Sequence, residues 1–449
     1  MPNLLARAAS LLLGGNAEGI DDRDAQTLLG ELGYATTAEF KEAESDPERP
    51  HRGHLLKAAS RFARVFELAA PDAPGLVSFG AEFAPALADP MHAGIPLVGV
   101  SGVGLSLQEA FQGCIGEGIE YLSQLQIAND ALERPRDGDP AAKLGPQTRD
   151  FLAAFSARRL NSDTGLSWHR ATRLIDGCKV ALPADLCLRR PPGQQEVKPP
   201  FPLGTGSAAG RSWDAAALHG LLELIERDAA SLWWLGGDRG KSIPPGDEAQ
   251  IEAEALLAQL RQGVPARRSW LLDITTDIGV PCIAAVSCNS DGFGFAFGLA
   301  ARPTLKAAAR AAVLEMCQGE LAHAVVEAKR RERGEVALNA RDHIHRQHAT
   351  MLNADRCLLL QPEPEHLRHL AISSTDPGTA LRLIADRLAQ FGIEVFGLDL
   401  TRPHFAVPVA RVIAPGLQLL PSEIATPRLA AMIARTGGGA TYTGGIGLM

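Results

Sequence analysis

The sequence predicts a mixed α and β fold built from repeated strand-helix units, preceded by a small helical N-terminal domain. Three observations predict it. From about residue 76 onward, short apolar runs of strand character alternate with long helix-forming ones. Residues before that carry helical spacing and few β-branched side chains. One pattern of small-residue loop, N-cap and long helix also recurs three times along the chain.

Taken in order, MPNLLARAASLLLGG has an apolar run too brief for a secretory signal, and it flows into the acidic, helix-like GIDDRDAQTLLGELG. Leu28, Leu29 and Leu32, then Leu55, Leu56, Phe62 and Phe66, continue the helical spacing. The turn-rich AAPDAPG at 69–75 sets the expected boundary between a helical domain, 1–75, and a larger domain, 76–449. Beyond it GIPLVGV, PCIAAVSCNS, GFGFAFGLA, IEVFGLDLT and FAVPVARVIAP read as strands, with a turn at Asn289–Gly292. RPRDGDPAAKLGP (134–146) and RRPPGQQEVKPPFP (189–202) are polar and rich in proline and glycine, and are expected as exposed loops. The glycine-rich end, Gly437 to Gly447, is expected as a flexible terminus, the alternative being a mobile segment that folds over substrate.

Composition narrows the function. With a net charge of −8 and a pI near 5.9, nucleic acid and anionic membranes gain no global electrostatic attraction. No apolar stretch is long enough to span a bilayer. The seven cysteines are odd in number, scattered and without a C-x-x-C pair, which points to reduced thiols in a cytoplasmic protein.

The repeated segments are SGVGLSLQEAFQGCIGEGIEYL, GSAAGRSWDAAALHGLLELIERDA and GLAARPTLKAAARAAVLEMCQGEL. Each has a loop of small residues, an N-cap (Ser106, Ser212 or Thr304) and a long helix, and Glu109 gives the first the pattern of a capping box. Eleven residues past each cap stands Glu117, Glu223 or Glu315, and fourteen past it Glu120, Glu226 or Gln318. Positions i and i+3 share a helix side, so each pair points together, and His219 extends the second stripe. An E-x-x-E pair by itself is most often a solvated face. Here Leu221, Leu222, Leu224, Ile225, Leu232 and Trp233 leave Glu223 and Glu226 only a narrow polar stripe on a mostly buried helix. Converging carboxylates need a cation, and oxygen donors suit Mg²⁺ shared with nucleotide phosphates better than zinc. On this reading Glu117, Glu120, Glu223 and Glu226 are the candidate metal ligands.

These motifs resemble those of the YcaO family. Gly113, Glu117 and Glu120 resemble its S-x-x-x-E-x-x-E motif; His219, Glu223, Glu226, Arg227 and Asp228 resemble its second, ending in E-R-D; Glu315 and Gln318 resemble its E-x-x-Q. GTGSAAG, VPVARVIAPGL and the spacing agree as well, so the resemblance covers about residues 76 to 420. It implies a fold of repeated α/β units that usually dimerises, and a site holding ATP through Mg²⁺. It further implies phosphorylation of a backbone amide oxygen of a ribosomally made precursor peptide, giving azolines, macrocyclic amidines or thioamides. The N-terminal helices then become candidates to bind that precursor or a TfuA-like partner. Gly113 replaces the usual serine, and Gly102-Val103-Gly104 replaces a Gly-Lys-Gly that would offer a phosphate-binding cation. The end lacks the proline-rich tail of azoline-forming members, which favours thioamide formation or another backbone modification. The rival reading is a non-catalytic nucleotide-binding scaffold of a modification complex.

Three weaker signals remain. LGGDRGKSI has Leu235 where a phosphate loop requires glycine, and reads as a turn. DHIHRQH (342–348) reads as an exposed polar helix, without the four ligands of structural zinc. For Arg411 a phosphate contact and a surface ion pair are both open.

Overall fold

A computed structural model describes residues 2–13, 22–34, 48–134, 143–160, 165–264, 267–372 and 374–448. The first helices are α1 (Pro2–Leu12), α2 (Arg23–Glu31) and α3 (Arg49–Ala59). Next come β1 (Arg64–Glu67), β2 (Val77–Phe83), β3 (Val98–Gly104), α4 (Leu107–Gln124) and α5 (Pro146–Ser156). The middle of the chain forms β4 (Trp168–Arg173), β5 (Lys179–Pro183), α6 (Ala184–Cys187), β6 (Ser207–Ala209), α7 (Trp213–Trp234) and α8 (Glu248–Arg261). There follow β7 (Arg268–Asp273), β8 (Cys282–Cys288), β9 (Ala296–Ala301), α9 (Leu305–Arg333) and α10 (Ala340–Met351). The last are α11 (Pro377–Ala389), β10 (Phe396–Asp399), β11 (Val409–Ile413), α12 (Pro427–Thr436) and α13 (Ala440–Thr443). The expected mixture of strands and helices is present.

All three sheets among the described residues are antiparallel, ordered β1-β2-β3, β5-β4-β10-β11-β6 and β7-β8-β9. The strand that feeds each long motif helix (β3 to α4, β6 to α7, β9 to α9) lies at the end of its sheet. Each helix then folds back: α4 packs on β2 and β3, α7 on β6 and β11, α9 on β8 and β9. Glycine permits the close approach. A Cβ on Gly102 would stand 2.2 Å from the Cys114 nitrogen, and one on Gly298 2.2 Å from the Ala312 oxygen.

Several expectations change. Phe66 belongs to strand β1, which pairs with β2 across the boundary expected at residue 75; its ring covers Gly80, where a Cβ would meet it at 2.7 Å. The N-terminal helices share one apolar cluster with α4, through Leu29, Leu55 and Leu56 against Phe111 and Ile115. The 189–202 segment is irregular, yet Val197 and Phe201 are buried rather than exposed; of the other expected loop, residues 135–142 lie outside the described residues. Lys241 of the G-K-S turn is committed to Glu363 and Glu365.

The glycine-rich end is docked. Trp234 Nε1 donates to the Ile446 carbonyl at 2.7 Å, His348 Nε2 bonds the Gly447 carbonyl at 2.6 Å, and Leu448 is buried. That contact also corrects the reading of 342–348 as exposed throughout: α10 carries a capping box from Asn339 and Asp342, but His348 lies inside against Phe295 and Phe297. No helix among the described residues is long and apolar enough to cross a membrane.

Candidate functional site

The three motif helices start alike. Ser106, Ser212 and Thr304 have extended backbones (φ −136°, −140° and −129°). Their hydroxyls accept the N–H of Glu109, Ala215 and Ala307 at 3.1, 3.2 and 3.2 Å. Equal starts on equivalent strands bring equal registers to equivalent faces. The units also interlock in a cycle: α4 touches β6, α7 touches β9, and α9 touches β3. Each helix thus reaches the strand of the next unit, which turns the three Glu/Gln faces towards a common centre.

Hydrogen bonds follow that cycle. At eleven residues past the cap, Glu223 accepts the Gly206 N–H, just before β6, at 2.9 Å and Glu315 the Leu299 N–H of β9 at 3.0 Å. At fourteen, Glu226 accepts the Ala301 N–H of β9 at 3.3 Å, and Gln318 Nε2 donates to Ser101 Oγ of β3 at 2.9 Å. The first unit differs. Glu120 accepts from Gln124 Nε2 at 3.1 Å, and Glu117 accepts no hydrogen bond among the described residues.

Crowding shows in the proton affinities. Burial, then repulsion from Glu223 and Glu315, pushes Glu117 up to about 7. Burial with Glu223 and Glu117 raises Glu120 well above the usual carboxylate range. Glu226 is pushed up to about 8 chiefly by burial, against the pull of Arg227, and burial likewise raises Glu315. Burial, with Arg302 nearby, lowers the His219 imidazole. Solvent reaches Glu117 and His219 although both are closely surrounded by protein, the condition of side chains lining a concave cleft. Arg227 supplies countercharge at 3.6 Å from Glu223 and 3.4 Å from Glu226.

This donor set fits a hard cation. It offers carboxylate and amide oxygens, and burial, with repulsion between neighbouring carboxylates, raises their proton affinities. Among the described residues, no three His, Cys, Asp or Glu side chains close around a metal position by themselves. Mg²⁺ keeps waters and phosphate oxygens among its six ligands, so protein oxygens supply only part of its shell.

The remaining motif residues separate by role. Arg411 is buried and makes no ion pair among the described residues, which removes the surface-pair alternative. Its Nη1 donates to the carbonyls of Leu203 (2.6 Å) and Thr205, holding the loop before β6, while Nε has no partner among the described residues. Asp228 turns away from the cleft to Arg428 Nη2 at 2.9 Å and the Gln418 N–H at 2.8 Å. Val103 packs in an apolar cluster with Leu305 and Ala309, whereas Gly113 is exposed with room for a side chain. The motif reading missed Ser101, Gln124, Arg302, and Arg341, which faces Glu117 electrostatically. Gln124 lies four residues beyond Glu120 on the same stripe and was within reach of that reasoning; Ser101 and Arg341 share no register with the repeats.

Comparison with known proteins bears on the family and the fold. A family model described as YcaO cyclodehydratase, ATP- and Mg²⁺-binding, matches residues 101–418. An uncharacterized protein in the tfuA 3′ region of Rhizobium leguminosarum bv. trifolii is 28% identical over 275 residues, 57% of this chain and 61% of that protein. A heterocyclase in complex with substrate and cofactor superposes with a TM-score of 0.67 at 21% identity, over 87% of this chain and 55% of its own. YcaO from Methanopyrus kandleri, bound with AMPPCP and Mg²⁺, gives a TM-score of 0.56 at 20% identity, over 82% and 89% of the two chains. The chain spans about three-fifths of the Rhizobium relative and about half of the heterocyclase.

Proposed function

Because the chain belongs to the YcaO family, we propose that it uses ATP and Mg²⁺ to modify a backbone amide of a ribosomally made precursor peptide, forming a thioamide or an azoline. The observation that carries this reading is the convergence of Glu117, Glu120, Glu223, Glu226, Glu315 and Gln318 from three helices into one carboxylate-rich cleft. Support for the thioamide branch comes from the Rhizobium relative, whose name places it beside tfuA, and it extends to a TfuA-like partner. The same reading has a cytoplasmic homodimer, with the N-terminal helices receiving the precursor or the partner.

Bound Mg·ATP supplies an electrophilic phosphoryl group for the amide oxygen. The chain's own residues do the positioning. Glu117, Glu120, Glu223 and Glu226 would hold the cation, releasing protons from carboxyl oxygens as it arrives. Glu315 and Gln318 are already oriented by Leu299 and Ser101, so little freedom is lost when a ligand enters. Arg227 balances charge beside Glu223 and Glu226, and Arg411 fixes the loop that presents the Gly206 N–H to Glu223.

The test is phosphate release with and without candidate precursor peptide, followed by the mass of the product. Thioamide formation exchanges one oxygen for sulfur, and azoline formation loses water. Glu117→Gln and Glu223→Gln should each lower Mg·ATP affinity and turnover at least about tenfold, as loss of a charged ligand does; full retention of both would defeat the shared site. Val103 and Gly113, which lack the usual cation and hydroxyl, favour one second reading, the non-catalytic scaffold, and nucleotide binding without peptide-stimulated hydrolysis would select it.

A further inference from the structure

Three equivalent loops lead from an end strand to a helix cap, and each is a place from which a cation could face the cleft. In the first, Leu105 and, near the end of β3, Val103 are apolar and partly buried in one cluster. In the second, Arg211 is committed to Glu48 of the N-terminal region. The third loop carries Arg302, between Ala301 at the end of β9 and Thr304, the cap of α9.

Arg302 is placed on the cleft by its neighbours on both sides. The Ala301 N–H is bonded to Glu226 at 3.3 Å, and the Arg302 N–H is tied to the Pro281 carbonyl at 3.0 Å. Its guanidinium acts electrostatically on Glu226 and Glu315, and on His219, about two turns before Glu226 along α7. Its only hydrogen bond among the described residues is from Nη1 to the Ala301 carbonyl at 2.8 Å; Nε and Nη2 have none, and it forms no ion pair there. The side chain is partly exposed. A planar, permanently charged group with free N–H bonds on this wall is matched to non-bridging phosphate oxygens.

We propose that Arg302 contacts the polyphosphate tail of the nucleotide, providing from the third loop the cation that the first loop lacks. This rests on the nucleotide reading of the cleft. The guanidinium supplies binding and orientation to the phosphates, and relieves repulsion between them and Glu226 and Glu315.

Calorimetric titration of the full chain with ATP and with AMP, each with Mg²⁺, tests it. Arg302→Ala should weaken ATP binding at least about tenfold, the scale of one charge-assisted contact, with AMP affinity within about twofold of wild type and an unchanged melting temperature. Arg302→Lys should fall between, keeping the charge and losing the fork. ATP affinity within about twofold of wild type in Arg302→Ala, or equal losses for ATP and AMP, would overturn the assignment. A wild-type chain that binds no ATP would defeat the nucleotide site itself, and the arginine's role with it.

Discussion

Glu226 meets two opposed demands. As a nearly buried carboxylate beside Glu223 and Glu315 it is expensive to ionise, yet as a cation ligand it must ionise. The unfolded chain loses this proton in the ordinary carboxylate range, near 4.5, while the folded protein keeps it up to about 8. The folded state therefore binds more protons between those values, and stability falls as pH rises through that window. Glu117, pushed up to about 7, acts with the same sign. Thermal melting without nucleotide, followed from pH 5 to pH 8, should show a decline that is shallower in Glu226→Gln. Added Mg·ATP should release protons, measurable as a buffer-dependent binding enthalpy. Equal slopes in wild type and Glu226→Gln would mean that Glu226 is ionised throughout. The sequence exposed this residue because its spacing repeats and its flanks are apolar. It did not expose Ser101 or Arg341, whose place in the cleft depends on chain contacts far away in sequence.

At the scale of elements, the repeated unit of small-residue loop, cap and helix was legible because it is local. The cap hydroxyl and the interval to the glutamate both lie on one continuous helix, and backbone geometry is the same in all three copies. Sheet order was not legible, since β4 pairs with β10 and β6 with β11, strands about two hundred residues apart that no local period connects. Strand β1 was missed for a different reason: four residues, RVFE, are too few to distinguish alternation from helical spacing. The glycine within the unit gives a test. A methyl group on Gly298 would stand 2.2 Å from both the Ala312 oxygen and the Met316 nitrogen, so α9 must lift from β9 to admit it. Gly298→Ala should cost about 1–3 kcal/mol or more by overpacking, read as a lower denaturation midpoint. Nucleotide affinity should fall with it, because the Leu299 N–H would leave Glu315. Gly113→Ser is the control: the nearest atom to its added Cβ is 3.9 Å away, and stability should hold.

At the scale of the whole molecule, the C-terminal segment clamps the second motif helix. Arg428 of α12 reaches Asp228, which is fully buried on α7 just past Glu223 and Glu226. Past α12, the Trp234 indole at the end of the same helix donates to Ile446, and Gly439 lies so close that a Cβ would be 1.7 Å from the Trp234 oxygen. The Gly447 carbonyl meets His348 of α10, the helix whose Arg341 faces Glu117. Glycines that read as flexibility in the sequence are here a means of close backbone approach, and the surface they approach is about two hundred residues earlier. Two outcomes therefore distinguish a clamp from a lid. Deleting residues 440–449 should lower the melting temperature and Mg·ATP affinity together, since α7 and α10 both lose anchorage, whereas a substrate lid would spare nucleotide binding and abolish only turnover. Arg428→Ala isolates the cause. It leaves Asp228 buried with a single N–H partner, from Gln418, at a cost of about 3–5 kcal/mol for breaking a buried pair. Asp228→Asn with Arg428→Ala should recover much of that loss by removing the stranded charge. If truncation leaves melting unchanged, the docked end does not hold α7, and its contacts with Trp234 and His348 contribute nothing to the stability of the site.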